Sequence, residues 1–194
     1  MAFRVVLDAC VLYPFTLRDT LLRFAEVEAF DLVVSEAILN EVVRNLVAVG
    51  AITERDAVRL AAAITSAFPE AIIDQAAIDV LEPAMTNDHG DRHVLAAAVA
   101  GGAKLIVTHN LRHFPARALA PFGIEAQTPG VFLDNLFELA PGRAVAVVRQ
   151  QSADMKRPPR SVAEILGMLD RSGAPVFAAK VAAQLGVIPA PRPQ

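Results

Sequence analysis

Asp8 follows the apolar run Val5-Val6-Leu7 and precedes Ala9, Cys10 and Val11. A short β-branched run reads as a buried strand, and a carboxylate at its carboxyl end has no apolar reason to be there. Open α/β sheets bind ligands in the crevice beyond the carboxyl ends of their strands, so the question is which acids gather around Asp8. Glu41, Asp88 and Asp91 are the candidates. Converging carboxylates suit Mg²⁺ or Mn²⁺, which favour hard oxygen donors over imidazole or thiolate. Such a site suits phosphodiester cleavage, in which a divalent ion activates a water, binds the scissile phosphate and stabilises the leaving oxyanion. Each acid alone has a plainer explanation: Glu41 as a solvated helix residue, Asp91 as an N-terminal helix charge, Asp88 as a turn former. Asp8 has the weakest such explanation, and the group is stronger than its members.

His89 with His93, and His109 with His113, are spaced like zinc-binding pairs on a helix. His89, however, precedes the predicted helix start, and the second pair straddles a strand exit, so neither pair shares a helix face. His93 is expected on a helix near the acids. Arg44, Arg92 and Arg112 lie beside the acidic segments, as phosphate-holding groups or as surface ion pairs.

The elements that must position these groups follow from periodicity. Residues 4–7 read as a strand, 17–29 as a helix and 30–34 as a second strand. Ser35 is an N-cap for a helix running from Glu36 to about Val49, stopped by Gly50, and Glu41 lies inside it. Thr53 and Asp56 resemble a capping box for a helix ending before Phe68-Pro69, and residues 71–73 form a weaker strand. Asp91 begins a helix that ends at Gly101-Gly102, residues 104–108 form a fourth strand and residues 124–127 a fifth. Alternation of strand and helix argues for a parallel sheet covered on both faces, an α/β fold. If the first and fourth strands are neighbours, Asp8, Glu41 and Asp91 meet at one sheet end.

After the break at Met155-Lys156-Arg157-Pro158-Pro159-Arg160, Ser161 and Glu164 form a capping box. Ile165, Met168 and Leu169 give that helix an apolar stripe, a further helix is expected over 174–185, and residues 187–194 are too proline-rich for regular structure. The division expected is a nuclease-like domain at 1–135 and a basic helical extension at 136–194. Charge supports it: residues 1–140 carry 10 Lys/Arg against 18 Asp/Glu, residues 141–194 carry 8 against 3, a balance of −8 and then +5. The basic end is placed either to grip a polyanion such as RNA or to lie on an acidic partner surface. The 194 residues are 54% hydrophobic with mean hydropathy +0.42, yet the most apolar stretch, 94–103, is too short to span a bilayer. The amino terminus shows no leader pattern and one cysteine makes no internal disulfide, so a cytoplasmic protein with no membrane association is expected. Phe24, Phe30, Val47 and Val49 suggest a homodimer if they lie on exposed helix faces, although a large core accounts for them too.

Four segments, in order, carry a resemblance. Val-Leu-Asp8-Ala-Cys-Val-Leu-Tyr13-Pro14, Ser35-Glu36-Ala-Ile-Leu-Asn-Glu41-Val-Val-Arg44-Asn45-Leu, Asn87-Asp88-His-Gly-Asp91-Arg-His93-Val-Leu and Ile-Val-Thr108-His-Asn110-Leu-Arg-His113-Phe114-Pro resemble successive blocks of PIN-domain ribonucleases. They are most similar to the VapC-type toxins of bacterial toxin–antitoxin pairs, and the basic end is similar to the extension of one VapC subgroup. The resemblance implies a three-layer fold with a 3-2-1-4-5 parallel sheet, an Mg²⁺- or Mn²⁺-dependent endoribonuclease acting as a toxin, and a small antitoxin that blocks it. By position Asp8, Glu41 and Asp91 match the family's metal-binding acids, and Asp88 is a supporting or second-metal residue. Members often carry a fourth acid after the fourth strand, where this chain has Asn110 and then His113; this bears on whether one metal or two bind. Cys10 stands where a polar residue is common and is expected to be a small buried filler. Thr108 either positions Asp8 or a water, or is simply a strand residue. Two rivals remain: haloacid-dehalogenase-like phosphatases need an acid where Cys10 sits, and a non-catalytic RNA- or protein-binding module would keep the fold without turnover.

Overall fold

Residues 3–191 are described by the computed structural model; Met1, Ala2 and residues 192–194, on which the leader reading and part of the proline-rich reading fall, lie outside them. In chain order the elements are β1 (Arg4–Leu7), α1 (Ala9–Leu12), α2 (Phe15–Glu26), β2 (Asp31–Ser35), α3 (Glu36–Ala48), α4 (Glu54–Ala67), β3 (Ile72–Ile73), α5 (Gln75–Leu81), α6 (Arg92–Ala100), β4 (Leu105–Val107), α7 (Ala116–Leu119) and β5 (Glu125–Gln127). Then come α8 (Pro129–Leu139), α9 (Pro141–Asp154), α10 (Val162–Arg171) and α11 (Pro175–Leu185). None of these helices is long and apolar enough to cross a membrane.

The five strands form one parallel sheet in the order β3-β2-β1-β4-β5, as the resemblance implied. β1 is central, and Val5, Val6 and Leu7 are fully buried, as are Val33, Val34, Ile106 and Val107 on its neighbours. Strands buried on both faces read as unbroken apolar runs, which is why β1, β2 and β4 were legible. α6 packs on β2, β1 and β4. Its exit needs a residue without a side chain, because a Cβ on Gly101 would lie 2.7 Å from Val33 Cγ1. Ser35 accepts from the Ile38 amide and Thr53 from the Asp56 amide, the two caps expected.

The chain divides into two compact units, one of residues 1–13 and 30–127, the other of 14–29 and 128–194. The expected division at 135 is a cut in the linear chain, whereas these units interleave: α2 belongs with α8–α11. In that second unit Phe177 meets Phe24 and Phe137 edge-on, with ring centroids 6.1 and 6.4 Å apart. Gln151 is fully buried, accepting from Thr20 Oγ1 at 2.8 Å and donating to the Thr16 carbonyl at 3.1 Å. Ser161 and Glu164 make both halves of the capping box.

Several elements differ from expectation. β2 starts and ends one residue later, β4 is shorter, and α1, α5, α7, α8 and α9 were not foreseen. Phe24 and Phe30 are buried within their own units, so they offer nothing to a dimer face; of the four residues invoked, only Val49, 62% exposed, is open to solvent. Part of the basic excess is already paired, Arg160 with Glu164 and Lys180 with Asp134 and Glu138.

Candidate metal centre

The register Leu7↔Val107 brings the next residue of each strand, Asp8 and Thr108, out of the sheet side by side. The Asp8 amide still donates to the Val107 carbonyl at 3.1 Å and that of Thr108 to the Gln127 carbonyl at 2.9 Å. Both side chains are buried. Thr108 Oγ1 donates to Asp8 Oδ2 at 2.6 Å, and Cys10 Sγ donates to the same oxygen at 3.1 Å. Of the two roles considered for Thr108, its geometry is that of a group holding Asp8. Both donors take Oδ2 rather than Oδ1.

Cys10 is more than filler. Half-buried, it also accepts from the His109 amide at 3.2 Å, and burial, then the Asp8 charge, push its thiol up to about 12. It is a neutral donor to Asp8.

The turn that leads into α6 supplies Asp88 and Asp91. Asp88 accepts from the Gly90 amide, and the Asp91 amide donates to the Asp88 carbonyl, closing a 3₁₀ turn ahead of α6. Asn87 Nδ2 fixes the turn by donating to the Asp91 carbonyl at 3.0 Å. The Asp88 amide in turn donates to the His113 carbonyl, which ties this turn to the loop after β4. Asp91 occupies the N-cap position of α6 but makes no cap bond; its Oδ2 lies 2.5 Å from His113 Nδ1. The result is a group of Asp88, Asp91 and His113 whose ligand atoms all lie within 4.8 Å of one another.

Electrostatics make this group a cation-seeking one. Burial foremost raises the Asp91 pKa; His113 opposes that, and the charges of Asp8 and Asp88 raise it further. Carboxylates that disfavour one another's ionisation in partly dry surroundings are relieved by a positive charge between them. Asn87 Oδ1, beside this turn, is a buried oxygen without a hydrogen-bond partner. Oxygen-rich and clustered, the donor set fits a divalent cation.

Glu41 is placed differently. Its carboxylate faces His93 Nε2 at 3.5 Å, an ion-pair separation too long for a made hydrogen bond. That histidine, foremost, lowers the Glu41 pKa, and Glu41 raises that of His93, which also feels Asp91. His93 therefore stands between the two acids. Arg44 is exposed and close enough to Glu41 to act on it electrostatically. Asn110 contributes its backbone amide, which donates to Thr108 Oγ1 at 2.9 Å. The one cluster of metal-ligating groups among the described residues contains a single histidine, His113. The sequence showed His113 as half of a zinc-like pair and as a departure from an acid; the signal that it faces the site is its position one residue before Phe114, which is buried.

Known proteins resemble this chain in both of its parts. A family model described as PIN domain matches residues 4–112, and one described as VapC50 C-terminal domain matches residues 129–183. A Mycobacterium tuberculosis protein named "Putative ribonuclease VapC50" is 42% identical over 97 residues, which cover 50% of this chain and 57% of that protein. The chain thus spans little more than half the length of the curated relative it matches. No solved structure matches the chain.

Proposed function

From the premise that this chain belongs to the PIN-domain family, we propose that it is a divalent-metal-dependent endoribonuclease and the toxin of a toxin–antitoxin pair. The observation that carries the reading is the convergence of Asp8, Asp88 and Asp91 where β1 and β4 end, within electrostatic reach of one another. The match of residues 129–183 to the VapC50 C-terminal domain, and the name of the relative, support the toxin part. Asp8, Asp91 and Asp88 would hold Mg²⁺ or Mn²⁺, with Glu41 reaching them by turning from His93. When bound, such an ion supplies Lewis acidity to the phosphodiester and offsets the charge of the acids.

The chain's own groups do the rest. Thr108 and Cys10 fix one oxygen of Asp8 and so aim the other. His113 holds one oxygen of Asp91, and His93 keeps Glu41 ionised at the rim. Arg44 and Arg112, exposed beside the acids, offer guanidinium groups to backbone phosphates. The partner implied is a small antitoxin that covers the acids in the cytoplasm of the host cell.

Incubating purified chain with RNA tests this. Cleavage that requires Mg²⁺ or Mn²⁺ and falls on the order of a hundredfold in Asp8→Asn and Asp91→Asn is expected. Equal cleavage by wild type and Asp8→Asn would sink the assignment, and normal RNA affinity with no cleavage at any metal concentration would favour the non-catalytic binding module.

A further inference from the structure

His113 stands where an acid was expected, and its geometry gives that replacement a consequence. Its Nδ1 lies 2.5 Å from Asp91 Oδ2 and belongs to the same 4.8 Å group as Asp88. Two backbone bonds hold the ring's loop in place: His113 N donates to the Asn110 carbonyl at 2.8 Å, and His113 O accepts from the Asp88 amide at 3.1 Å. The second bond makes Asp88 and His113 move together. The ring is thus fastened to the same turn that carries both acids.

We propose that His113 Nδ1 is a metal ligand in place of a carboxylate, and that it tilts the site toward Mn²⁺ over Mg²⁺. The inference rests on the reading of Asp8 and Asp91 as ligands. Carboxylates and water suit Mg²⁺, whereas an imidazole nitrogen is a better donor to transition ions than to magnesium. A neutral ring also removes one negative charge from the donor set, which penalises the ion that depends most on charge. The plainer role for His113 is to hydrogen-bond Asp91 and nothing more. Arg112 Nε donates to His113 Nε2 at 3.1 Å, so a neutral ring carries its proton on Nδ1 and donates it to Asp91. Arg112 is exposed and free to swing aside. The ring proton is then carried on Nε2, and the Nδ1 lone pair turns to the cation.

Electron spin echo spectroscopy on the full chain, stripped with chelator and loaded with Mn²⁺ alone, separates the two roles because it detects nitrogen bound to manganese. Affinity is read in parallel by titrating the Mn²⁺ signal and competing with Mg²⁺. The expected result is a nitrogen modulation in wild type that vanishes in both His113→Asp and His113→Asn. His113→Asp should lower the Mn²⁺-over-Mg²⁺ preference by roughly tenfold or more. Asn keeps a hydrogen-bond donor near the Nδ1 position, so a purely hydrogen-bonding His113 would leave its Mn²⁺ affinity unchanged. Mn²⁺ binding that depends on Asp91, shown by its loss in Asp91→Asn, but without nitrogen modulation overturns the ligand role of His113 and leaves the acids standing. Modulation that survives both His113 variants does the same. Absence of Mn²⁺ binding, or binding indifferent to Asp91→Asn, overturns the metal reading itself and this inference with it.

Discussion

Thr108→Val removes a single oxygen from the site and keeps the side chain's shape. The hydroxyl donates to Asp8 Oδ2 at 2.6 Å and accepts from the Asn110 amide at 2.9 Å, and Thr108 has no solvent exposure. A hydrogen bond to a charged group contributes about 1.5–3 kcal/mol, and orphaning a buried donor costs about 1–3 kcal/mol. Asn110 is half-buried and its amide can reach water, so the second figure is taken at its low end. The sum is about 3 kcal/mol, which for a chain of this size is a drop in Tm of roughly 6–12 °C. Melting followed by circular dichroism, with chelator present so that no ion contributes, measures it. Thr108→Ser keeps both bonds and loses only a methyl group, about 1 kcal/mol. In an Asp8→Asn background the acceptor is neutral, so the cost of Thr108→Val should shrink by about 1 kcal/mol, the coupling between the two side chains. A Thr108→Val melt within about 2 °C of wild type, or a Thr108→Ser as damaged as Thr108→Val, would refute the claim that this hydroxyl holds Asp8.

Two further outcomes follow from burial. With its thiol pushed from 9.0 up to about 12, Cys10 in the native protein should react with iodoacetamide at pH 8 about a thousandfold more slowly than in urea. The same raised value means that native stability is lost as pH rises above 9.0, where only the unfolded chain ionises, and rapid labelling of the folded protein would show the thiol to be accessible and unperturbed. Phe177→Ala should cost about 3–5 kcal/mol in urea unfolding, because the ring is fully buried against Phe24 and Phe137; a loss under about 1.5 kcal/mol would mean that these rings do not form the second unit's core.

Much of the first unit was legible because its signals are local. An apolar run without alternation marks a strand buried on both faces, and Ser35, Thr53 and Ser161 announce their helices three residues ahead. The membership of α2 in the second unit was not legible: Leu17, Leu21 and Phe24 specify that one face is buried, but an amphipathic stripe carries no address for its partner. The four-residue α1 and the seven-residue α5 are too short for periodicity to register. At the site, Asp8 was found from its residue type at a strand end, and Asp88 and Asp91 from a polar turn and the helix start that follows it. The link between His93 and Glu41, and that between His113 and Asp91, depend on loop conformations that spacing does not encode.

The caps set two of the acids apart. Ser35, Thr53, Asp74, Asp88, Thr128 and Ser161 all occupy N-cap positions and all accept a backbone amide with the side chain. Asp8 and Asp91 occupy the same position ahead of α1 and α6, with a side chain among the best at capping, and neither makes the bond. A cap is worth about 0.5–2 kcal/mol, so each of these helices forgoes stability that a small rotation of its aspartate would recover. What the two carboxylates do instead is the same: each turns one oxygen to a side chain that follows β4, Asp8 to Thr108 and Asp91 to His113. A sequence shaped by stability alone would have kept the caps. Two acids withheld from the ordinary work of an N-cap aspartate, and braced by a strand they do not belong to, are better explained by a charged ligand between them than by the fold that surrounds them.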